Sequence, residues 1–134
     1  LKKISYTCTM FQFSVVIVCK NEDTIIGKTL NALNTFAPDI VVYDNGSTDR
    51  TIEIVKTFPV NLMQGGWEGF GKTKNKANSF AKYDWILSLD ADEIPDEELI
   101  NALTNLSPSS ERSVFNIKFK IYTAKNRKIL SKRK

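Results

Sequence analysis

The stretch Trp85-Ile86-Leu87-Ser88-Leu89-Asp90-Ala91-Asp92 decides the fold and indicates the chemistry. Its apolar first part is typical of a buried strand, and the strand stops on two carboxylates. Side chains two residues apart on extended backbone point to the same side, so we expect Asp90 and Asp92 together at the rim of a sheet. Carboxylate oxygens suit Mg²⁺ or Mn²⁺, and those ions suit a diphosphate. The stretch therefore predicts metal-assisted handling of a nucleotide.

Apolar segments on both sides of this stretch alternate with helical patterns. Strands are predicted at residues 13–19, 39–43, 60–63, 85–89 and 115–122. Helices are predicted between them, with inward faces formed by Ile26, Leu30 and Leu33, by Ile52, Val55 and Phe58, and by Leu99, Ile100 and Leu103. A further helix is predicted from the glycine-rich loop at residues 65–71 to about Ala81. This alternation predicts an α/β fold with a doubly wound, mostly parallel sheet flanked by helices.

Polar residues at the helix starts predict the caps. Asp23 or Asn21 is expected to cap the first helix, and Ser47 or Thr48 the second. Pro95 is expected in the first turn of the last helix, with Glu97 and Glu98 near its positive end.

Three polar clusters follow predicted strands: Lys20-Asn21-Glu22, residues 44–49, and residues 90–93. Ligands of such sheets bind beyond the carboxyl ends of the strands, so the clusters are expected at one site. There the carboxylate of Asp44 can accept a hydrogen bond from a pyrimidine ring N–H or a ribose hydroxyl. A plain turn followed by a capped helix explains residues 44–49 equally well, and both interpretations can hold together.

Composition excludes several classes of function. The 134 residues make one domain or part of one, and no apolar run reaches the roughly 18–20 residues that span a bilayer. The chain contains no histidine, which excludes Ser-His and Cys-His catalysis and most zinc sites. Its two cysteines indicate a reducing compartment, so a cytoplasmic location is expected. An EF-hand is excluded because Pro95 stands where its loop requires glycine.

The charge is distributed unevenly along the chain. Nine basic and no acidic residues follow Glu111, whereas the part up to Glu111 carries a net charge of −5. One interpretation of the basic end is contact with an anionic membrane surface, and the other is a solvated strand face with a tail. Nucleic acid is not an expected partner, because no aromatic side chain interleaves the last twelve residues.

The loop at residues 66–73 raises a competing hypothesis. Its sequence, Gly66-Trp67-Glu68-Gly69-Phe70-Gly71-Lys72-Thr73, matches the phosphate-loop pattern and lies between a predicted strand and a helix. The bulky Trp67 and Phe70 stand where backbone must wrap phosphate, and this hypothesis leaves residues 44–49 without a function. A phosphate-loop NTPase therefore stays an alternative, as does a non-catalytic α/β module that docks through its basic tail.

Taken in order, the segments resemble the family 2 glycosyltransferases, which have the GT-A fold. The matching stretches are residues 14–22, 41–49 and 85–93, and residues 68–77 are similar to the subgroup that adds sugars to lipopolysaccharide core. The resemblance covers roughly residues 13–105. It implies an inverting enzyme of bacterial envelope polysaccharide synthesis, with a nucleotide-sugar donor such as a UDP-sugar and a glycolipid or saccharide acceptor.

The resemblance also implies roles for individual residues. It places the base and ribose of the nucleotide against Val18, Lys20, Asn21, Glu22 and Asp44. Lys74 stands where the family has a basic residue near the nucleotide, and Asp90 and Ala91 adjoin the ribose or the sugar. Asp92, with Asp90, would bind the Mg²⁺ or Mn²⁺ that bridges the diphosphate. Lys20 departs from the aromatic residue frequent at its position.

The general base of the family has no counterpart in this sequence. In the family it follows the metal motif in the acceptor-binding half, and here the acids that follow Asp92, among them Glu93, Asp96 and Glu111, do not match that later motif. The expected organisation is an extension at residues 1–10, a nucleotide-sugar-binding portion at 11–123 and a basic tail at 124–134. We expect a fold that is incomplete at its C-terminus, truncated after the donor-binding half, with little or no transfer activity of its own and some contact with the inner face of the membrane.

Overall fold

The computed structural model describes residues 11–107, 119–123 and 126–132. The predicted extension at residues 1–10 lies outside these ranges. The strands are β1 Ser14–Cys19, β2 Asp39–Asp44, β3 Asn61–Gln64, β4 Ile86–Asp90, β5 Phe119–Thr123 and β6 Asn126–Lys132. The helices are α1 Ile26–Leu33, α2 Thr51–Val55, α3 Phe70–Asn78 and α4 Glu97–Thr104.

The first four strands form one parallel sheet in the order β3-β2-β1-β4. Strand β1 lies in the interior of this sheet, which explains why its side chains read as one continuous apolar run. The order places the carboxyl ends of β1, β2 and β4 side by side. The predicted doubly wound α/β architecture is confirmed.

The sheet carries an apolar layer on each face. On one face Val15 and Ile17 of β1 pack with Leu30 of α1 and Val55 of α2. On the other face Val16, Val41 and Tyr43 pack with Ala77 of α3. Alternate residues of a strand point to opposite faces, so β1 supplies both layers.

Strand β4 departs from the prediction of a fully buried strand. Leu87 and Leu89 are buried, whereas Ile86, Ser88 and Asp90 are exposed within the described part of the chain. The alternation arises because successive side chains of a strand point to opposite faces, and Leu87 and Leu89 point into the core. Ser88 and Asp90 share the other face, where both contact Lys74 of α3.

The predicted caps of α1 and α2 were wrong. Neither Asp23 nor Asn21 caps α1, whose preceding residue, Ile25, makes no side-chain cap. Ser47 and Thr48 do not cap α2, because the carboxylate of Asp49 accepts the bond from the Thr51 amide instead, at 2.9 Å.

The start of α4 and the ends of two helices also differ. Pro95 lies before α4, and the cap is Asp96, whose carboxylate accepts from the Leu99 amide at 2.9 Å. Helix α2 stops before Phe58, and α3 stops before Ala81. Local sequence marks where a cap is needed, but the path of the loop decides which side chain reaches the amide.

The last two strands pair antiparallel in a separate two-stranded sheet. Strand β5 confirms residues 119–122 of the predicted strand at 115–122, and residues 115–118 lie outside the described ranges. Strand β6 occupies most of the predicted basic tail and is not anticipated from the sequence. Across the described residues, no helix is both long and apolar enough to span a bilayer.

Candidate functional site

The sheet brings the predicted polar clusters to one edge. In the strand register, Val18 of β1 lies beside Tyr43 of β2 and beside Asp90 of β4, and Cys19 lies beside Asp44. The loops that follow these strands therefore start from neighbouring points. The predicted site residues assemble there in two groups, one around Asn21 and Asp44 and one around Asp90 and Asp92.

The loop after β1 and the loop after β2 are joined by Asn21. Its side-chain oxygen accepts from the Thr48 amide at 2.8 Å and from the Asp49 amide at 3.4 Å. The backbone amide of Asn21 donates to the hydroxyl oxygen of Ser47 at 2.8 Å. Asn21 has a φ of 54°, a left-handed conformation that asparagine tolerates better than most residues. Lys20, immediately before it, is exposed.

Asp44 builds the turn that follows β2. It is only 1% exposed, and its Oδ1 accepts from the amides of Gly46 at 3.0 Å and Ser47 at 2.9 Å. Its Oδ2 accepts from the Ser47 hydroxyl. The carboxylate is thus committed to the turn, which fits the structural interpretation of this segment. A direct contact with a base or ribose stays a prediction.

Two further contacts join the same two loops. The amide of Glu22 donates to the Thr51 hydroxyl oxygen at 2.8 Å, and the amide of Asp23 donates to the Asp49 carboxylate at 3.2 Å. Desolvation raises the pKa of Asp49, but hydrogen bonds from Thr51 and Asp23 outweigh it and leave that pKa below its ordinary value. Asp49 is therefore a charged anchor of the loop at neutral pH.

Lys74 joins helix α3 to the end of β4. Its Nζ lies 3.3 Å from Oδ1 of Asp90 and 3.4 Å from the Ser88 hydroxyl. The two charged side chains are 40% and 60% exposed, so the ion pair is weak and a stronger anion can compete for the lysine. Lys74, which the resemblance selected, is thus beside Asp90.

A turn rather than extended backbone carries the two carboxylates. The Glu93 amide donates to the Asp90 carbonyl at 3.0 Å, and the Asp90 amide donates to the Glu93 carboxylate at 2.7 Å. Asp90 and Asp92 are exposed, whereas Ala91 between them is buried in the core. Asp90 ends β4 and Asp92 lies in the turn after it, so the extended geometry expected through Asp92 was wrong, whereas their joint role as a site stays a prediction.

Negative charge accumulates where the two groups of residues approach each other. Desolvation raises the pKa of Glu22, and the charges of Asp92, Asp49 and Asp90 raise it further. The pKa of Glu93 is also raised, first by desolvation and also by Asp90 and Asp92. Carboxylates that repel one another in this way favour a cation among them.

Cys19 does not contribute a nucleophile to the site. Burial raises the pKa of its thiol to about 12, and the Asp44 carboxylate, 3.8 Å from its sulfur, adds to the effect. The thiol is therefore protonated at neutral pH and packs as a small apolar group.

The carboxylates do not enclose a cation by themselves. Over the described ranges, no three carboxylate or thiol side chains form a group that could hold a metal ion. Exposed Asp90 and Asp92 nonetheless present the hard oxygen donors that Mg²⁺ uses when it is held by one or two carboxylates and by substrate phosphates. This donor set fits a cation that arrives with a diphosphate.

The glycine-rich loop does not have the position of a phosphate loop. It follows β3, which ends the sheet on one side, and Gly65 passes so close to Tyr43 that the loop is set by packing on β2. Trp67 and Phe70 are exposed and contact each other edge to face, with ring centroids 4.8 Å apart. The lysine that reaches β4 is Lys74, and Lys72 is exposed.

Sequence reasoning missed several residues that shape the site. Thr51 receives the Glu22 amide, Ser88 contacts Lys74, and Glu93 closes the turn after β4. Thr29 of α1 donates to the Ala91 carbonyl at 2.6 Å. A signal existed for Thr29, because it is a polar residue at helical spacing between Ile26 and Leu33 on the inward face of α1.

Comparison with known protein families gives one match across most of the chain. The family described as glycosyl transferase family 2 matches residues 14–131. That range contains both groups of site residues and the elements from β1 to β5, and it ends within β6.

Individual relatives agree with the family match. An uncharacterized glycosyltransferase of Rickettsia typhi is 36% identical over 90 residues, which cover 67% of this chain and 31% of the relative. The lipopolysaccharide core biosynthesis glycosyltransferase LpsC of Rhizobium meliloti is 33% identical over 106 residues, covering 75% of this chain and 39% of LpsC. The chain spans about a third of the length of these relatives.

A solved structure shows the same fold. Glucosyl-3-phosphoglycerate synthase from Mycobacterium tuberculosis, in complex with Mn²⁺, UDP and glucosyl-3-phosphoglycerate, superposes with a TM-score of 0.59. Its sequence is 18% identical, and the match covers 70% of this chain and 40% of the synthase. At this identity the likeness concerns the fold, which is the GT-A fold.

Proposed function

This chain belongs to glycosyl transferase family 2, and from that premise we propose that it binds the nucleotide-sugar donor of a glycosyl transfer reaction. The observation that carries the proposal is the pair of exposed carboxylates, Asp90 and Asp92, at the sheet edge beside Lys74 and Glu22. A UDP-sugar is the proposed donor, because the solved relative is named as a complex with UDP and Mn²⁺.

In this proposal Asp92 and Asp90 would hold a Mg²⁺ or Mn²⁺ ion when the donor binds. When bound, the ion neutralises charge on the departing nucleoside diphosphate. Lys74 exchanges its weak contact with Asp90 for a diphosphate oxygen, and Ala91 keeps the backbone between the two carboxylates in the core. Glu22, whose ionisation Asp92 and Asp90 disfavour, becomes easier to ionise once a cation is present.

The loops after β1 and β2 form the other half of the proposed donor site. In this proposal Val18, Lys20 and Glu22 would hold the base and ribose, which is supported by the position of Val18 beside Asp90 in the strand register. Asn21 and Asp44 hold these loops together through hydrogen bonds to residues 46–49. Their contribution to donor binding in this proposal is to fix the loop backbone.

The proposed reaction is an inverting transfer of the sugar. An acceptor hydroxyl oxygen forms a bond to the anomeric carbon, the bond from that carbon to the diphosphate oxygen breaks, and a base takes the hydroxyl proton. We assign no described residue as this base. The proposed acceptor is a glycolipid or saccharide of bacterial envelope or lipopolysaccharide synthesis, which the name of LpsC supports. A cytoplasmic place beside the membrane is part of the same proposal.

Calorimetric titration of the chain with UDP in the presence of Mn²⁺ tests the proposal. We expect saturable binding that Asp92→Ala abolishes and that Lys72→Ala leaves unchanged, because Lys72 is exposed and Lys74 reaches Asp90. Titrations with ATP and GTP are the comparison. Nucleoside triphosphate binding that is lost in Lys72→Ala would instead support a phosphate-loop NTPase, and the absence of all nucleotide binding would support a non-catalytic docking module.

A further inference from the structure

The one buried hydroxyl that contacts the turn after β4, among the described residues, belongs to Thr29. Thr29 lies on the inward face of α1 and is fully buried. Its Oγ1 donates to the carbonyl oxygen of Ala91 at 2.6 Å, across 62 residues of sequence. A buried hydroxyl is costly unless it is paired, so this hydrogen bond is what makes threonine tolerable on an otherwise apolar helix face.

The partner of this hydrogen bond is the peptide that separates the two exposed carboxylates. Ala91 is buried, while Asp90 before it and Asp92 after it are exposed. Drawing the Ala91 carbonyl toward α1 sets the direction in which the chain leaves β4. The relative orientation of the two carboxylates depends on that direction, because they are attached on either side of this peptide.

The turn is held from its other end by Glu93. Its carboxylate accepts from the Asp90 amide at 2.7 Å, and its amide donates to the Asp90 carbonyl at 3.0 Å. These bonds close the turn on itself but do not attach it to another element. The Thr29 hydroxyl attaches the backbone of the turn to α1, the helix that follows the Glu22 loop, whereas Lys74 of α3 contacts the side chain of Asp90.

We propose that Thr29 is a positioning residue that fixes the Asp90 and Asp92 carboxylates at the spacing needed to share a divalent cation with a diphosphate. This inference rests on the proposed donor-binding function. Thr29 touches neither the cation nor the donor, and it acts through the Ala91 carbonyl. Groups that orient metal ligands from outside the coordination sphere typically change metal affinity by about 10–100-fold when they are removed.

The test compares Thr29→Val with Thr29→Ser. Valine keeps the β-branched shape and removes the donor, whereas serine keeps the donor. UDP affinity is measured by calorimetry over a series of Mn²⁺ concentrations, and free Mn²⁺ is followed separately by electron paramagnetic resonance. We expect Thr29→Val to raise the Mn²⁺ concentration of half-saturation by about tenfold. Thr29→Ser should stay within about threefold of the wild-type chain.

A matched control separates positioning from loss of stability. Leu33→Val lies on the same helix and is fully buried, one turn beyond Thr29. It should lower the midpoint of thermal unfolding without changing the Mn²⁺ dependence. Thr29→Ala serves as a second variant without the donor in case Thr29→Val does not fold.

Two outcomes would overturn the inference in different ways. If wild-type protein binds UDP with Mn²⁺ and the variants without the hydroxyl keep the wild-type Mn²⁺ dependence, Thr29 is structural only and the proposed function stands. If wild-type protein binds no UDP at any Mn²⁺ concentration, the proposed function fails and the inference fails with it.

Discussion

Asn21 is the residue at which two predicted site loops become one structure. Its left-handed backbone and its side-chain oxygen are both used, the first to turn the chain after β1 and the second to hold the Thr48 and Asp49 amides. The sequence placed Asn21 in the site and predicted it as a helix cap, which was wrong, and its contact with the nucleotide stays a prediction. Its observed partners are more than 25 residues away, so no local pattern identifies them.

Replacing Asn21 with alanine should loosen both loops. Asn21→Ala loses the acceptor and places an ordinary side chain at positive φ, and we expect the free energy of unfolding to fall by about 2 kcal/mol. Asn21→Gly removes the cost of an ordinary side chain at positive φ but does not restore the lost hydrogen bonds. Its free energy of unfolding should therefore lie between those of Asn21→Ala and wild type. Urea unfolding measures this order. Equal stability of Asn21→Ala and wild type would show that the side-chain amide of Asn21 does not hold the loops after β1 and β2 together.

The raised pKa of Glu22 predicts a specific pH dependence. A carboxyl whose pKa is higher in the folded than in the unfolded state favours folding when it is protonated, and that contribution is lost as pH rises through the folded pKa. Glu22→Gln removes the ionisation, so the variant should be more stable than wild type at pH 7 and equally stable below the ordinary carboxyl pKa.

Thermal unfolding of wild type and Glu22→Gln between pH 4 and pH 7 checks this expectation. The neighbouring charges are those of Asp92, Asp49 and Asp90, so Mn²⁺ at pH 7 should reduce the difference between the two proteins. Glu53→Gln is a control, because Glu53 is exposed, contacts Arg50 and is not among the charges that raise the pKa of Glu22. A pH profile of Glu22→Gln parallel to that of wild type would contradict the electrostatic account.

At the scale of elements, the loop from β3 to α3 is fixed by close packing on β2. A β-carbon at Gly65 would lie 2.0 Å from the hydroxyl oxygen of Tyr43, which is fully buried in the core. The Tyr43 hydroxyl also donates to the Gly66 carbonyl at 3.4 Å. The glycine pattern that resembles a phosphate loop is therefore explained at Gly65 by a tyrosine rather than by an anion.

Gly65→Ala should therefore destabilise the fold. We expect a loss of about 1–3 kcal/mol, the usual range when atoms are forced into a packed interior. Gly66→Ala is the matched control, because a β-carbon there meets nothing within 4 Å. Urea unfolding of the two variants measures the contrast. A Gly65→Ala protein as stable as Gly66→Ala would show that Tyr43 moves aside at little cost.

The polar edge itself follows from the arrangement of elements. Strand β4 was predicted from its apolar run, and its position beside β1 brings Asp90 next to Val18. The exposure of its alternate side chains was not predicted, because a run of apolar residues does not state which faces of the strand are covered. Helix α3 then supplies Lys74 to that open face.

At the scale of the whole molecule, charge is separated along the chain. The donor-site carboxylates belong to the part up to Glu111, with its net charge of −5, and the nine basic residues follow it. Anionic lipid attracts basic segments over about a Debye length, roughly 10 Å at 0.1 M salt. The proposed peripheral membrane contact therefore depends on the last part of the chain.

Sedimentation with lipid vesicles tests this contact. We expect the chain to bind vesicles that contain phosphatidylserine at low ionic strength and not to bind vesicles of phosphatidylcholine alone. Salt at 0.5 M, where the Debye length is about 4 Å, should release the bound protein. Replacing Lys132, Arg133 and Lys134 with glutamine should weaken the binding. Binding that is indifferent to salt and to these substitutions would exclude an electrostatic contact.

The sequence by itself determined the α/β class, the strands of the parallel sheet and the pair of carboxylates after the fourth strand. These follow from local properties, namely runs of apolar residues, helical spacing and the order of the segments along the chain. It also determined the family, because four short motifs in a fixed order are specific even when each alone is common.

Only the tertiary structure decided which polar atoms meet. Three hydrogen-bonded contacts join segments that are between 16 and 62 residues apart in the sequence. They are the side-chain oxygen of Asn21 with the amides of residues 48 and 49, Lys74 with Asp90, and the Thr29 hydroxyl with the Ala91 carbonyl. Such contacts depend on the strand order and on the paths of the loops, which local preferences do not encode. For this reason the sequence located the edge of the sheet where a ligand would bind, whereas the fold determined which residues hold that edge in shape.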